Sequence, residues 1–361
     1  MRIAYDARHA ARGLGISTFI VSLAAELVRT GEVELVWLGD PELAPPGTAR
    51  GVSLHRAPYP LLDGPLGRAL IARLNVDVVH FTGNTGWGRR GPVPAVLTLH
   101  DLIFMGTCAR GRSPRQMIGH RYERRLVGRA VKVADAVVVP SRTVAEDVRA
   151  RFGPGVVPQV VPEGVSLPPV SPGVASKTSE PSEPRYLVAF AGRDPRKRTT
   201  EVVEAWRRLA PLHMRLRLLA GGGLPAGLRE SLAADELART VEILEHLPRQ
   251  ELWSVLSGAF ALLYPTSAEG FGLPVLEGMA AGTPVITGLA PVTHEVGGDA
   301  IVPLDPDDVA GSIAAAVLRL DADPGWRSEM SERGRRRARE FSWRKTAAAY
   351  LDVYRSARRP R

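Results

Sequence analysis

From Leu167 to Arg185 the chain loses the periodicity it shows elsewhere, and Pro, Ser, Gly, Thr and Glu dominate. On either side of this stretch, short apolar runs alternate with helical patterns. A segment of such composition has too little apolar surface to join a core and reads as a linker. Alternating strand and helix signals argue for βαβ units and parallel sheets. A chain of 361 residues can bury two cores of ordinary size. The fold class expected is therefore α/β, with two doubly wound, Rossmann-like domains at residues 1–166 and 186–335. A closing segment follows at 336–361.

In the first domain the expected strands are Arg2 to Tyr5, Val33 to Leu38, Val76 to Phe81, Ala95 to Leu99, Ala136 to Val139 and Val156 to Val161. Helical periodicity covers Ser17 to Val28, with Ser17 or Thr18 as cap, and then Arg121 to Val133 and Thr143 to Arg151. In the second domain strands are expected at Tyr186 to Ala191, Leu216 to Ala220, Val241 to Leu244, Ala259 to Tyr264 and Pro284 to Ile286. One long helical stretch, Trp326 to Arg358, closes the chain. Open sheets of this kind take ligands at the carboxyl ends of their strands.

Composition removes several function classes. The single cysteine, Cys108, allows no intrachain disulfide and no cysteine-based metal site, which fits a reducing, cytoplasmic setting. No apolar run approaches the length of a membrane span. Walker A, Gly-x-Ser-x-Gly and His-Glu-x-x-His patterns are missing. Asp305-Pro306-Asp307 and Asp321-Ala322-Asp323 read as helix caps. The net charge of +9 implies attraction to anions. It is densest between Arg110 and Lys132, which is either a solvated helix face or a basic face resting on anionic lipid. Few aromatics interleave it, so nucleic acid is not the expected partner.

The most informative segment is Tyr264 to Val285. The apolar run Ala259 to Tyr264 reads as a buried strand that Pro265 stops. Gly270 and Gly272 allow close backbone approach, and Pro274 suits the first turn of a helix expected from near Leu273 to Gly282. Amides around Phe271, Gly272 and Leu273 would face a diphosphate at that helix start. Glu269 before the turn and Glu277 one helical turn in are placed to accept hydroxyls. Upstream, Gly192-Arg193-Asp194-Pro195-Arg196-Lys197-Arg198 sets cations at the end of another strand. Gly13 and Gly15 form a second glycine turn before a helix, and His100-Asp101 ends a strand of the first domain.

The pattern Glu, Gly-Phe-Gly-Leu-Pro, Val-Leu-Glu, Met-Ala, Gly-Thr-Pro-Val resembles the donor signature of family GT4 retaining glycosyltransferases, which have the GT-B fold. The resemblance is strong from 186 to 305 and moderate over the first 165 residues. It implies two Rossmann-like domains facing across a cleft, the first binding the acceptor and the second an NDP-sugar, with the C-terminal helix crossing back to the first domain. It further implies that Lys197 and one arginine, Arg193 or Arg196, bind the diphosphate. Glu269 would hold the donor sugar and Glu277 the ribose. The base would be held by backbone near His246 to Pro248, and His100 would meet sugar hydroxyls and acceptor. Gly13, Gly15, Gly270, Phe271, Gly272 and Leu273 would line the donor. No metal or other cofactor is implied beyond the NDP-sugar co-substrate, with UDP or GDP the leading carriers. The acceptor would be a glycan, a lipid-linked sugar or a natural product. A nucleotide-sugar epimerase shares the fold but needs further acid/base carboxylates in the first domain. A non-catalytic nucleotide-sugar-binding protein would not need Glu269, Glu277 and Lys197 together.

Overall fold

A computed structural model describes residues 1–12, 15–53, 62–106, 114–168, 185–234, 236, 238–245 and 247–358. The chain divides into two compact units, Met1–Gly164 with Phe341–Arg361, and Val165–Glu340.

The first unit is built on a seven-stranded sheet in the order β3-β2-β1-β4-β5-β6-β7. Its strands are β1 (Arg2–Ala7), β2 (Glu34–Gly39), β3 (Ala49–Ser53), β4 (Val78–Phe81), β5 (Ala95–Thr98), β6 (Ala136–Val139) and β7 (Gln159–Val160). Every pairing is parallel. β1 is buried along nearly its whole length, and β4, β5 and β6 throughout, as apolar runs covered on both faces should be. The helix Gly15–Arg29 begins two residues before the expected cap, and Ser17 donates its hydroxyl to the Ala10 carbonyl instead of capping. Ser141 does cap the helix Arg142–Phe152, accepting from the Val144 amide at 3.1 Å.

The second unit carries a six-stranded parallel sheet in the order β10-β9-β8-β11-β12-β13. Its strands are β8 (Tyr186–Phe190), β9 (Arg215–Leu219), β10 (Val241–Leu244), β11 (Ala261–Leu263), β12 (Val285–Thr287) and β13 (Ile301–Pro303). This is the dinucleotide-fold order, and it reverses direction between β8 and β11, where Leu187, Val188 and Ala189 pair with Ala261, Leu262 and Leu263. Ligands of doubly wound sheets bind at such a reversal, outside the carboxyl ends of the strands.

The long helical stretch expected from Trp326 to Arg358 is two helices, Pro324–Ala338 and Trp343–Ala357. Ser342 starts the second by accepting from the Lys345 amide at 3.3 Å. The first packs in the second unit, where Gly334 lies against Met279. The second belongs to the first unit, where the Tyr350 hydroxyl meets Thr98 at 2.7 Å and Tyr354 meets His80 at 2.8 Å. Asp323 caps Pro324–Ala338, as expected, whereas Asp321 pairs with Arg185. Asp305 closes a turn on Asp307, and the cap of Val309–Ala322 is Asp308.

Candidate active site

The loops after β8 and β11 bring charged side chains together at the sheet reversal. After β8, Thr199 bonds both the amide and the carbonyl of Gly192, each at 3.1 Å, and Asp194 accepts from the Arg196 amide at 3.1 Å. The turn ends at Arg198, held at φ 51°, a left-handed conformation costly for a side-chain-bearing residue. After β11, the Ser267 amide bonds the Arg196 carbonyl at 2.9 Å and ties the two loops together.

These loops bring Arg196, Lys197 and Glu269 to one point. Arg196 Nη1 lies 3.0 Å from Glu269 Oε1 and donates to the Ala268 carbonyl at 2.7 Å. Lys197 Nζ is 3.7 Å from the same Oε1. The Tyr264 hydroxyl donates to it at 2.7 Å and Thr266 Oγ1 at 3.3 Å. Burial lowers the Lys197 ammonium below its ordinary pKa, opposed by Glu269 and aided by Arg196. Burial would lower Arg196 too, but the carboxylates of Glu269 and Asp194 outweigh it and the net shift is upward. Arg193 stands apart: it is exposed, and its guanidinium lies over Gly223.

The helix Leu273–Ala281 starts at Gly272, whose φ of 95° favours glycine, and ends at Gly282, φ 79°. Gly270, Phe271 and Leu273 are buried at this start. Almost the whole helix is buried, Glu277 included. Burial pushes the Glu277 carboxyl up to about 7, against the pull of Arg249, whose Nη1 is 3.6 Å from Oε1. His246 lies outside the described residues, so the segment expected to hold the base is described only from Leu247 onward.

In the first unit His100 has both ring nitrogens engaged. Nδ1 is 3.1 Å from Glu163 Oε1 and Nε2 is 2.8 Å from the Thr82 carbonyl, while Phe19 packs edge-on at 4.7 Å. Burial works against ionisation, yet Glu163 and the carbonyl prevail and raise the His100 pKa. Asp101 accepts from the Ile103 amide at 2.9 Å. Gly15 opens the helix Gly15–Arg29, and Gly13 lies outside the described residues.

Sequence reasoning missed Tyr264, Thr266 and Arg249. It also missed a buried ionic cluster at the end of β1, where Arg8 Nη2 lies 2.8 Å from Asp6 Oδ2 and 3.0 Å from Asp63 Oδ1. Burial pushes Asp63 up to about 7. The Asp-x-Arg at the end of the first strand was its only available signal.

In the basic stretch, residues 107–113 lie outside the described residues, and the helix Pro114–Val133 begins earlier than the periodicity indicated. Arg124, Arg125, Arg129 and Lys132 are exposed, and Leu126, Val127, Ala130 and Val131 are buried. Among the described residues no helix is long and apolar enough to cross a membrane, and no group of three His, Cys, Asp or Glu side chains is placed to hold a metal ion.

The sheet orders define a doubly wound α/β protein, and comparison with known proteins narrows the class. Residues 14–167 match the family model "Glycosyltransferase Family 4" and residues 175–337 match "Glycosyl transferases group 1". The D-inositol 3-phosphate glycosyltransferase of Xylanimonas cellulosilytica is 30% identical, with 96% of this chain and 93% of that protein covered. The O-antigen chain mannosyltransferase B of Escherichia coli is 30% identical over 47% of this chain and 45% of its own. Among solved structures, Anabaena HepE in complex with UDP-glucose superposes with a TM-score of 0.73 at 16% identity, covering 98% of this chain and all of that one (100%). Sucrose-phosphate synthase from Thermosynechococcus elongatus gives 0.73 at 18% identity, covering 98% of each chain. The chain belongs to the family 4, group 1 glycosyltransferases and has their GT-B fold.

Proposed function

We propose that this protein is a retaining glycosyltransferase that moves a hexose-type sugar from a UDP- or GDP-sugar to a hydroxyl of a glycan, lipid-linked or natural-product acceptor. The observation that carries this reading is the meeting of Arg196, Lys197 and Glu269 at the reversal of the second sheet, beside a helix N-terminus. Two cations and a helix start suit a diphosphate, and a carboxylate beside them suits the hydroxyls of the sugar it carries. The anomeric carbon–oxygen bond to the diphosphate breaks as the acceptor oxygen bonds on the same face. The acceptor proton passes to the departing diphosphate oxygen. Arg196 and Lys197 stabilise the charge growing on that leaving group, so neither a protein nucleophile nor a metal ion enters the scheme. Arg196, paired with Glu269, is assigned to the diphosphate ahead of Arg193. Glu277 takes the ribose. His100 is assigned to sugar and acceptor contacts, acting through the position and charge of its ring.

The complex of HepE with UDP-glucose puts that donor first among those to test. Relatives named for D-inositol 3-phosphate make a phosphorylated polyol a natural first acceptor. The exposed Arg124, Arg125, Arg129 and Lys132 suit an acceptor held at an anionic lipid surface. Absence of salt-sensitive binding to anionic vesicles would remove that option.

Thermal-shift screening against UDP-, GDP-, ADP- and dTDP-sugars, with and without EDTA, tests the reading. One nucleotide family should raise the melting temperature, with EDTA without effect and Lys197→Ala abolishing the shift. No shift with any donor overturns the reading, and a shift lost in EDTA overturns its metal-free form.

A further inference from the structure

Tyr264 closes the apolar strand run after β11, and its ring is fully buried, edge-on to Phe190 at 5.9 Å. A tyrosine there fills a core position that phenylalanine would fill as well. Its hydroxyl has a separate connection. It donates to Glu269 Oε1 at 2.7 Å, and Lys197 Nζ stands 3.5 Å from the same hydroxyl and 5.0 Å from the ring centroid. Burial raises the phenol pKa well above its ordinary value, and the neighbouring Glu269 carboxylate adds to the shift, so the hydroxyl stays a donor. Arg196, Lys197, Tyr264 and Thr266 all converge on Oε1, and among the described residues none bonds Oε2.

We propose that Tyr264 is a positioning residue for the donor sugar: it holds Glu269 by Oε1 and keeps Oε2 turned to accept sugar hydroxyls while Arg196 and Lys197 are engaged by the diphosphate. The inference rests on the function proposed above and extends it to a residue outside the donor motif. The two cations are counter-ions of Glu269. A diphosphate competes for them, because its oxygens offer stronger charge-assisted hydrogen bonds. As the cations turn to it, the carboxylate loses their hold, and the neutral donors Tyr264 and Thr266 remain. The phenol is the closer of the two and is fixed by a ring that cannot move within its packing.

The test separates the sugar from the nucleotide. Dissociation constants for UDP and UDP-glucose, and for GDP and GDP-mannose, are measured by calorimetry with wild type, Tyr264→Phe, Glu269→Ala and the double variant. Tyr264→Phe keeps the ring in the core and Lys197 over its face. It should leave nucleoside diphosphate affinity within about twofold and weaken the sugar's contribution, the ratio of the two constants, about tenfold, as for loss of a hydrogen bond to a charged group. In the Glu269→Ala background the same change should add nothing, since residues acting through one another are not additive. Equal weakening of diphosphate and sugar nucleotide, no weakening of either, or full additivity with Glu269→Ala overturns the inference. A wild type that binds none of the four ligands overturns the functional reading itself.

Discussion

Arg249 holds its guanidinium 3.6 Å from the Glu277 carboxylate, the one charged side chain buried in the helix Leu273–Ala281. Burial raises that carboxyl from 4.5 to about 7 despite the cation. Because the folded pKa lies above the unfolded one, the folded protein keeps a proton that the unfolded chain releases. Stability from this site is full below about pH 4.5 and is lost as pH rises through about 7. Glu277→Gln should therefore stabilise the protein at pH 8 by about 3 kcal/mol, from the rise between 4.5 and about 7 at roughly 1.4 kcal/mol per pKa unit, with little gain near pH 4.5. Denaturant titrations at the two pH values check this. An equal change at both would show that burial of the charge is not what costs stability.

The same carboxyl should make nucleotide binding pH-dependent. If ribose hydroxyls donate to ionised Glu277, affinity for UDP or GDP should weaken as pH falls through about 7. In Arg249→Gln the opposing cation is gone and the folded pKa rises, so the weakening should set in at higher pH. Binding constants from pH 5.5 to 8.5 for both proteins measure it, and superimposable profiles would refute the role given to Arg249.

The strand, turn and helix of the segment from Tyr264 to Val285 were legible because their signals are local. A glycine pair, a proline and the end of an apolar run fall within a few residues, and Gly272 and Gly282 bound the observed helix as the pattern required. What was not legible depends on distant contacts. Tyr264 sits in an apolar run and reads as core, which its ring is; only the fold reveals that its hydroxyl reaches Glu269. The choice between Arg193 and Arg196 turns on a loop whose course is set by Asp194, Thr199 and the left-handed Arg198. Strand β3, with the sequence Ala-Arg-Gly-Val-Ser, carries too little apolar pattern to announce itself, and β13 is three residues ending in proline. The break at Phe341 and Ser342 is hidden because both flanking sequences are strongly helical, and Ser342 is the single local mark of a new helix start.

The two arginines of the basic turn should differ in consequence. Arg196→Ala removes a guanidinium paired with Glu269 and bonded to the Ala268 carbonyl, whereas Arg193→Ala removes an exposed side chain lying over Gly223. Diphosphate affinity should fall about tenfold to a hundredfold in the first, the range for a charge-assisted contact, and by less than about threefold in the second. Calorimetry with UDP and GDP ranks them, and the reverse order would reassign the diphosphate to Arg193.

Gly164 marks the end of the first segment of the first unit and lies against the start of its C-terminal helix. A Cβ there would stand 2.2 Å from the Trp343 amide nitrogen and 2.6 Å from the Ser342 carbonyl carbon. Both are backbone atoms, so rotation of a side chain cannot relieve the clash. Gly164→Ala should destabilise the protein by about 1–3 kcal/mol, the usual range for overpacking. An unchanged denaturation midpoint would show that this approach is looser than the geometry indicates.

The C-terminal helix Trp343–Ala357 is docked on the first sheet by a buried polar chain as well as by its apolar face. Tyr354 meets His80 Nδ1 at 2.8 Å, His80 Nε2 meets Thr98 Oγ1 at 2.7 Å, and Thr98 meets Tyr350 at 2.7 Å. Burial drives the His80 pKa down to about 3, so the ring is neutral at physiological pH and uses one nitrogen as donor and the other as acceptor. Tyr354→Phe keeps the ring volume but leaves Nδ1 buried without its partner, at a cost of about 1–3 kcal/mol. Adding His80→Phe in the Tyr354→Phe background should recover part of that loss, because no nitrogen is then left unsatisfied. Denaturant titration of the single and double variants reads the difference, with limited proteolysis reporting release of the helix. A double variant weaker than Tyr354→Phe by the full cost of a second core substitution would mean that shape, not the orphaned nitrogen, governs the docking.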